Sequence, residues 1–159
     1  MKRFFTKNRL IIIAIFVLLS IAFIISKFFY QLMLIQGDSM LPTYHNLSMV
    51  IVDKTDRDFC ADDVIAFKCD NVKGVLVKRI VAVSGDTVCI KDNKLYVNDR
   101  ISEITSADRI KYAGTAEKNI LLGDGEYFVL GDNYDESVDS RYEEVGIVQE
   151  DNIIGKIIK

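Results

Sequence analysis

Histidine, proline and cysteine are scarce in this chain, and each shortage removes a class of explanation. There is one histidine, His45, one proline, Pro42, and three cysteines, Cys60, Cys69 and Cys89. Eight and nineteen residues separate the cysteines. Those spacings fit no zinc pattern, and a lone histidine cannot complete one. No metal and no other cofactor is expected. An odd cysteine count allows at most one disulfide within the chain; the expectation is small buried residues, with Cys60 and Cys69 as the pair available for a bridge. No repeat or low-complexity segment interrupts the sequence.

Charge is absent from residues 10–26, LIIIAIFVLLSIAFIIS. A helix from Leu10 to Tyr30 would be roughly 30 Å long, enough for a bilayer core. The expected division is therefore a basic tail over 1–9, a transmembrane anchor over 10–30 and an outer domain over 31–159. Lys2, Arg3, Lys7 and Arg9 precede the span with no acid among them, which places the N-terminus in the cytoplasm. Phe28, Phe29 and Tyr30 suit the opposite interface. The rival is a cleavable signal, but SKFFYQLMLIQGD, after the apolar core, offers no small-x-small cleavage site. A single-pass protein of the cell membrane is expected, with lipid as a partner and its outer domain on the extracytoplasmic side.

Positive charge is also short in that outer domain. Five of the 20 lysines and arginines lie in residues 1–30, leaving 15 against all 23 acids, a formal charge of −8. Such a balance argues against nucleic acid as a partner. No obligate oligomer is inferred.

Beyond the span, short runs of strand-forming residues alternate with turn residues: 48–52, 64–68, 74–83, 87–91, 94–98, 126–130 and 152–158. Asp92-Asn93 reads as a hairpin turn and Gly123-Asp124-Gly125 as another turn. Residues 99–122 read as irregular, with room for a short helix. The class is mostly β, a small folded sheet or barrel behind one N-terminal helix.

One of these runs, VLVKRIVAV at 75–83, has two cations at its centre. Alternation puts Leu76, Lys78, Ile80 and Ala82 on one face and Val75, Val77, Arg79, Val81 and Val83 on the other. Both faces are apolar, so at least one cation sits among hydrocarbon, where an ammonium tends to lose its proton. Lowering a lysine from about 10.4 to near 8 takes roughly 3 kcal/mol of disfavoured charging, which burial supplies. A lysine that instead snorkels to water would do nothing of the kind.

QGDSMLPTYH, residues 36–45, places Ser39 between Gly37, which permits unusual backbone angles, and Pro42, which stiffens the chain. A serine in such a loop is a nucleophile only if it has a base. His45 has no supporting motif. The remaining base is a neutral lysine, which points to Lys78. A third stretch, GDNYDESVDSRYEEVG at 131–146, combines Ser137, Asp139 and Ser140 with Arg141, a composition able to form a hydrogen-bonded network around a site.

In that order, GDSMLPT, VKRIVAVSGD and GDNYDESVDSR behind an N-terminal anchor resemble the motifs of bacterial type I signal peptidases. ADDVIAF at 61–67 resembles a fourth motif, with Asp62-Asp63 where Gly-Asp is usual. The resemblance covers residues 36 to about 148 and implies a membrane-bound serine endopeptidase that removes signal peptides from exported precursors. It implies Ser39 as nucleophile and Lys78 as general base. It further implies Ser137 hydrogen-bonded to the lysine amine, and Asp132, Asp139 and Arg141 bracing the site, the last two as an ion pair. Gly37, Asp38, Met40 and Pro42 fall in the substrate and oxyanion vicinity. The precursors implied carry small residues at positions −1 and −3 and bind as an added strand. Gly37 departs from members with a serine there, so the Ser39 N–H is the oxyanion donor that can be named. Ala82, Ser84 and Tyr134 depart from the usual Gly, Pro and Arg. Arg79 is expected to meet an acid or reach solvent and to take no part in proton transfer. Two other classes stay open: an accessory or pilin-type maturation Ser-Lys peptidase, and a catalytically silent anchored binding module.

Overall fold

A computed structural model describes residues 2–105 and 110–158, with the side chains of residues 2–8 and 10 outside the description. The disposition of the Lys2, Arg3 and Lys7 side chains thus lies outside what is described. So do residues 106–109, within the stretch expected to be irregular.

The helix α1 runs over Lys2–Phe29, starting eight residues before the expected span. Its segment Ile11–Phe29 is long and apolar enough to cross a membrane, and none of it is buried against the rest of the chain. Helix gives way to strand at Tyr30 because the next residues find a partner. β1 (Tyr30–Leu34) pairs antiparallel with β2 (Met49–Asp53), Tyr30 opposite Asp53 and Leu34 opposite Met49. The Lys54 N–H, just past β2, donates to the Phe29 carbonyl at 2.9 Å and ties the junction.

The remaining strands are β3 (Val64–Cys69), β4 (Val72–Ala82), β5 (Thr87–Lys91), β6 (Lys94–Val97), β7 (Arg100–Ile101), β8 (Ile120–Leu121), β9 (Glu126–Leu130), β10 (Val148–Gln149) and β11 (Ile153–Ile158). They form a seven-stranded sheet in the order β1-β2-β11-β3-β4-β9-β10 and a four-stranded sheet in the order β7-β6-β5-β8. The fold is mostly β and antiparallel behind one N-terminal helix, as expected. Asp92 and Asn93 close the β5–β6 hairpin with φ of 51° and 61°, the left-handed pair that matches the twist of the flanking strands. The described residues of the stretch 99–122 hold β7, β8 and two 3₁₀ turns, Glu103–Thr105 and Gly114–Glu117.

The central strand β4 sets up the site. It pairs with β3 from Val72 to Arg79 and with β9 from Arg79 to Ala82. Its first half therefore has a strand on one side and an open edge on the other. A bulge between Ile80 and Ala82 breaks the expected alternation. Val75 and Val77 join one core cluster with Met40, Val64 and Ala66, while Leu76 and Ile80 join another with Ile65 and Phe67. Val81 and Ala82, expected on opposite faces, both enter a third cluster with Val88, Leu95 and Phe128. An extra residue on one strand turns the chain locally, so the end of β4 reaches the core under the second sheet. Phe67, Phe128, Ile65 and Leu95 are fully buried, each worth about 1.5–3 kcal/mol of removed apolar surface.

Among the described residues all three cysteines are free, so the Cys60–Cys69 pair available for a bridge does not form one. Cys60 is exposed in the turn before β3, Cys69 half-buried and Cys89 buried. The Cys69 thiol lies 3.7 Å from the Glu144 carbonyl, the acceptor that occupies it.

Candidate active site

Ser39 lies in the loop between β1 and β2, which is fastened at both ends. Ile35 and Leu47 close it through Ile35 N–H to Ser48 O at 2.9 Å and Leu47 N–H to Ile35 O at 2.7 Å. Gly37, with φ of +89°, donates its N–H to Asn46 Oδ1 at 3.0 Å. Met40 is fully buried, packed with Val50, Val52 and Ala66. Its side chain anchors the loop from below. Gly37, Asp38 and Pro42 are exposed around Ser39.

Lys78 is only 3% exposed, and its Nζ donates to Ser39 Oγ at 2.7 Å. Burial pushes its pKa down to about 8; the negative charges of Asp139 and Asp132 oppose that shift, and Arg141 adds to it. An amine about half of which is neutral near pH 8, beside a serine hydroxyl, can accept a proton in the pH range where a peptidase works. His45 is exposed, and among the described residues the side-chain partner of Ser39 Oγ is Lys78. The Ser39 N–H donates to no acceptor among the described residues, so it is free to meet a developing oxyanion.

The loop after β9 holds the dyad from the other side. Asn133 donates its N–H to Ser39 O at 3.0 Å and its amide Nδ2 to Asp38 O at 3.1 Å. Gly131 stands where the two loops touch. A Cβ there would lie 2.2 Å from Ser137 Oγ and 2.5 Å from Ser39 O, so the close approach requires glycine. Asp139 and Arg141 form a fully buried bidentate pair, Nε to Oδ1 at 2.8 Å and Nη2 to Oδ2 at 2.9 Å. Arg141 spends its other donors on the carbonyls of Tyr134, Ser137 and Tyr112. Asp139 Oδ2 also accepts from Gly131 N–H at 3.1 Å.

One expectation changes here. Ser137 is buried beside the site, but its hydroxyl has no hydrogen-bond partner among the described residues, so the expected bond to the Lys78 amine is not made in this arrangement. Ser140 serves the sheet: its hydroxyl accepts from Val129 N–H at 3.0 Å.

Arg79 finds the acid expected of it. Nε and Nη2 meet Asp132 Oδ1 and Oδ2 at 2.8 and 2.7 Å, and Nη1 reaches Asp62 Oδ1 at 3.0 Å. The Asp132 carboxylate raises the Arg79 pKa further, leaving the guanidinium charged. Thr43 Oγ1 also donates to Asp132 Oδ2, so Arg79 and Asp132 tie the Ser39 loop to the strand carrying Lys78. Asp62, where the related motif carries glycine, sits at φ of +79°. Asn133, Thr43 and Gly131 were not singled out by sequence reasoning, although GDN at 131–133 was.

A groove of about 380 Å³ opens from Ser39 and Lys78 between β1 and the first half of β4, walled by Met33, Leu34, Ile35, Val75 and Val77. Both flanking strands turn an unpaired edge toward it. Among the described residues no cluster of histidine, cysteine, aspartate and glutamate could hold a metal ion.

A mostly β domain that sets a serine hydroxyl against a buried lysine beside an open strand edge has the architecture of a serine peptidase. The comparisons then place it: residues 8–158 match the model of the signal peptidase family, peptidase S26, and the chain belongs to that family. It is 32% identical over 156 residues to signal peptidase I U of Bacillus subtilis (strain 168), covering 92% of this chain and 83% of that one. To signal peptidase IB of Staphylococcus aureus (strain COL) it is 33% identical over 165 residues, covering 92% and 85%. The crystal structure of a signal peptidase I from Enterococcus faecalis V583 superposes with a TM-score of 0.52 at 25% identity, over 64% of this chain and 97% of that one. The protein is thus a hydrolase of the serine peptidase type.

Proposed function

We propose that this chain is a membrane-bound signal peptidase I that cleaves exported precursors with a Ser39–Lys78 dyad. The observation that carries the reading is the 2.7 Å contact between Lys78 Nζ and Ser39 Oγ at a lysine 3% exposed. Neutral Lys78 accepts the Ser39 hydroxyl proton as Oγ bonds to the scissile carbonyl carbon, and the carbonyl oxygen becomes an oxyanion facing the Ser39 N–H. Collapse breaks the C–N bond, and Lys78 returns the proton to the departing amine. Water, deprotonated by the same lysine, then attacks the acyl ester, frees the signal peptide as a carboxylate and restores Ser39.

The groove supports binding of the precursor as a strand between the open edges of β1 and β4. Its walls of Leu34, Ile35, Val75 and Val77 leave room for small side chains, which favours alanine-like residues at −1 and −3. Ser39 follows the end of α1 by ten residues, so the site stands close to the membrane from which a signal peptide emerges. The basic N-terminus faces the cytoplasm and the acidic domain the outside.

The test is cleavage of a secretory precursor by the wild type, Ser39→Ala and Lys78→Ala. Both variants are expected to lose at least about 10³-fold in kcat; near-normal turnover in either removes the dyad. Activity of the wild type should rise through a midpoint near pH 8 and level off above it, because only the neutral amine accepts the proton. A rising limb near pH 6.5 would assign the base to His45 instead.

A further inference from the structure

A second cleft lies away from the dyad, where α1 meets the sheet. It encloses about 490 Å³ and is lined by Phe23, Ser26, Lys27, Tyr30, Leu32, Ile51 and Ile158. Its walls come from the last turns of the helix, from β1, from β2 and from the end of β11. Leu32 is 66% exposed, and on the same edge Leu34 and Met49 are also exposed, Met49 by 70%. The apolar surface of the candidate span thus continues onto the sheet instead of ending at Phe29.

The cleft also has a polarity. Lys27 is its one charged residue. Its Nζ rests over the Phe23 ring, 5.3 Å from the centroid, and it pairs with no carboxylate among the described residues. The acid nearest in register, Asp53 opposite Tyr30, is occupied by the Thr55 N–H and hydroxyl at 2.8 and 2.7 Å. Beside a domain of net charge −8 over residues 31–159, an apolar cleft with no acid among its described lining residues and one uncompensated lysine at a candidate membrane boundary selects for an anion that carries hydrocarbon.

We infer that this cleft binds one anionic phospholipid, an acyl chain lying between Phe23, Leu32, Ile51 and Ile158 and the phosphate meeting Lys27. The inference rests on the membrane-bound reading above and goes beyond it: a bilayer requires only apolar surface, whereas this cleft distinguishes headgroups. The lipid would fill the angle between helix and sheet and so help hold the catalytic domain against the membrane.

The chain contains no tryptophan, so Tyr30→Trp introduces a single indole at the cleft. The full-length variant is reconstituted in phosphatidylcholine vesicles containing a tenth of brominated phosphatidylglycerol, or a tenth of brominated phosphatidylcholine. The brominated phosphatidylglycerol is expected to quench the indole as if enriched about fivefold, the worth of one lysine at an anionic surface. Adding Lys27→Gln should make the two lipids quench alike. Equal quenching with Lys27 in place overturns the inference, as does a preference that survives Lys27→Gln. A protein that floats with the vesicles but is quenched by neither lipid has its cleft covered by protein, a second copy included, and this also overturns it. Precursor cleavage and flotation are read on the same samples. Flotation and cleavage without lipid preference refute the lipid site alone; absence of flotation refutes the membrane-bound reading, and absence of cleavage the peptidase reading.

Discussion

At the scale of single residues, the proposed base Lys78 would tie stability to activity. In the unfolded chain its amine titrates near 10.5, in the folded protein near 8. Below pH 8 the amine is charged in both states and the folded state bears the full cost of burying that charge. Between 8 and 10.5 the folded protein has released the proton while the unfolded chain retains it, so this contribution rises with pH by about 3 kcal/mol. Lys78→Met keeps the volume and removes the charge. It should be inactive yet more stable than the wild type at pH 7, with the gap narrowing by about 3 kcal/mol toward pH 10.5 when both are unfolded chemically in micelles. A gap independent of pH would show that Lys78 is not desolvated as the structure has it. The lysine was legible in the sequence because an apolar strand cannot hide two cations, and Ser39 had no other base. The free hydroxyl of Ser137 was not: whether a buried serine reaches an amine depends on ångström-scale placement that residue order does not encode.

At the scale of elements, the strands with clear alternation lie within a few residues of where composition put them, and three features do not follow from composition. β1 was hidden because YQLML continues the apolar run of the helix; only its pairing with β2 makes it a strand. The bulge in β4 was hidden because a bulge is a property of two strands. Arg79 was expected to find an acid, but its pairing with Asp132 joins residues 53 positions apart in the chain, a distance that alternation cannot bridge. The loop after β9 was legible by composition, and its Asp139–Arg141 pair yields a prediction at this scale. Both side chains are at most 1% exposed, so removing one leaves the other buried and uncompensated. Asp139→Leu and Arg141→Met should each lower stability by about 3–5 kcal/mol and weaken cleavage by loosening Gly131 and Asn133 around Ser39. The double variant should lose less than either single one, since an apolar pair carries no unpaired charge. Equal or additive losses in the double variant would mean that the pair is not the unit holding this loop.

At the scale of the whole molecule, one scarce residue type makes the orientation measurable. Four basic residues stand before the span and a domain of charge −8 follows it. Each lysine or arginine near an anionic cytoplasmic leaflet is worth about 1 kcal/mol, so the basic end favours the proposed topology, with residues 31–159 outside. Of the three thiols, Cys89 is buried and the Cys69 thiol is engaged with the Glu144 carbonyl, while Cys60 is exposed and free in the turn before β3. A membrane-impermeant maleimide applied to cells stripped of their wall should therefore label the chain without lysis, and Cys60→Ser should remove most of that label. Labelling that requires lysis would place the domain in the cytoplasm, away from the side on which exported precursors are released, and would overturn the proposed orientation while leaving the chemistry of Ser39 and Lys78 untouched. The substitution is tolerable because Cys60 fills no core position: its backbone N–H already has its acceptor, Asp63 Oδ2 at 2.8 Å, and a serine keeps that bond. Cleavage by Cys60→Ser should thus match the wild type, so the label reports which side of the membrane the turn occupies and not whether the domain has folded.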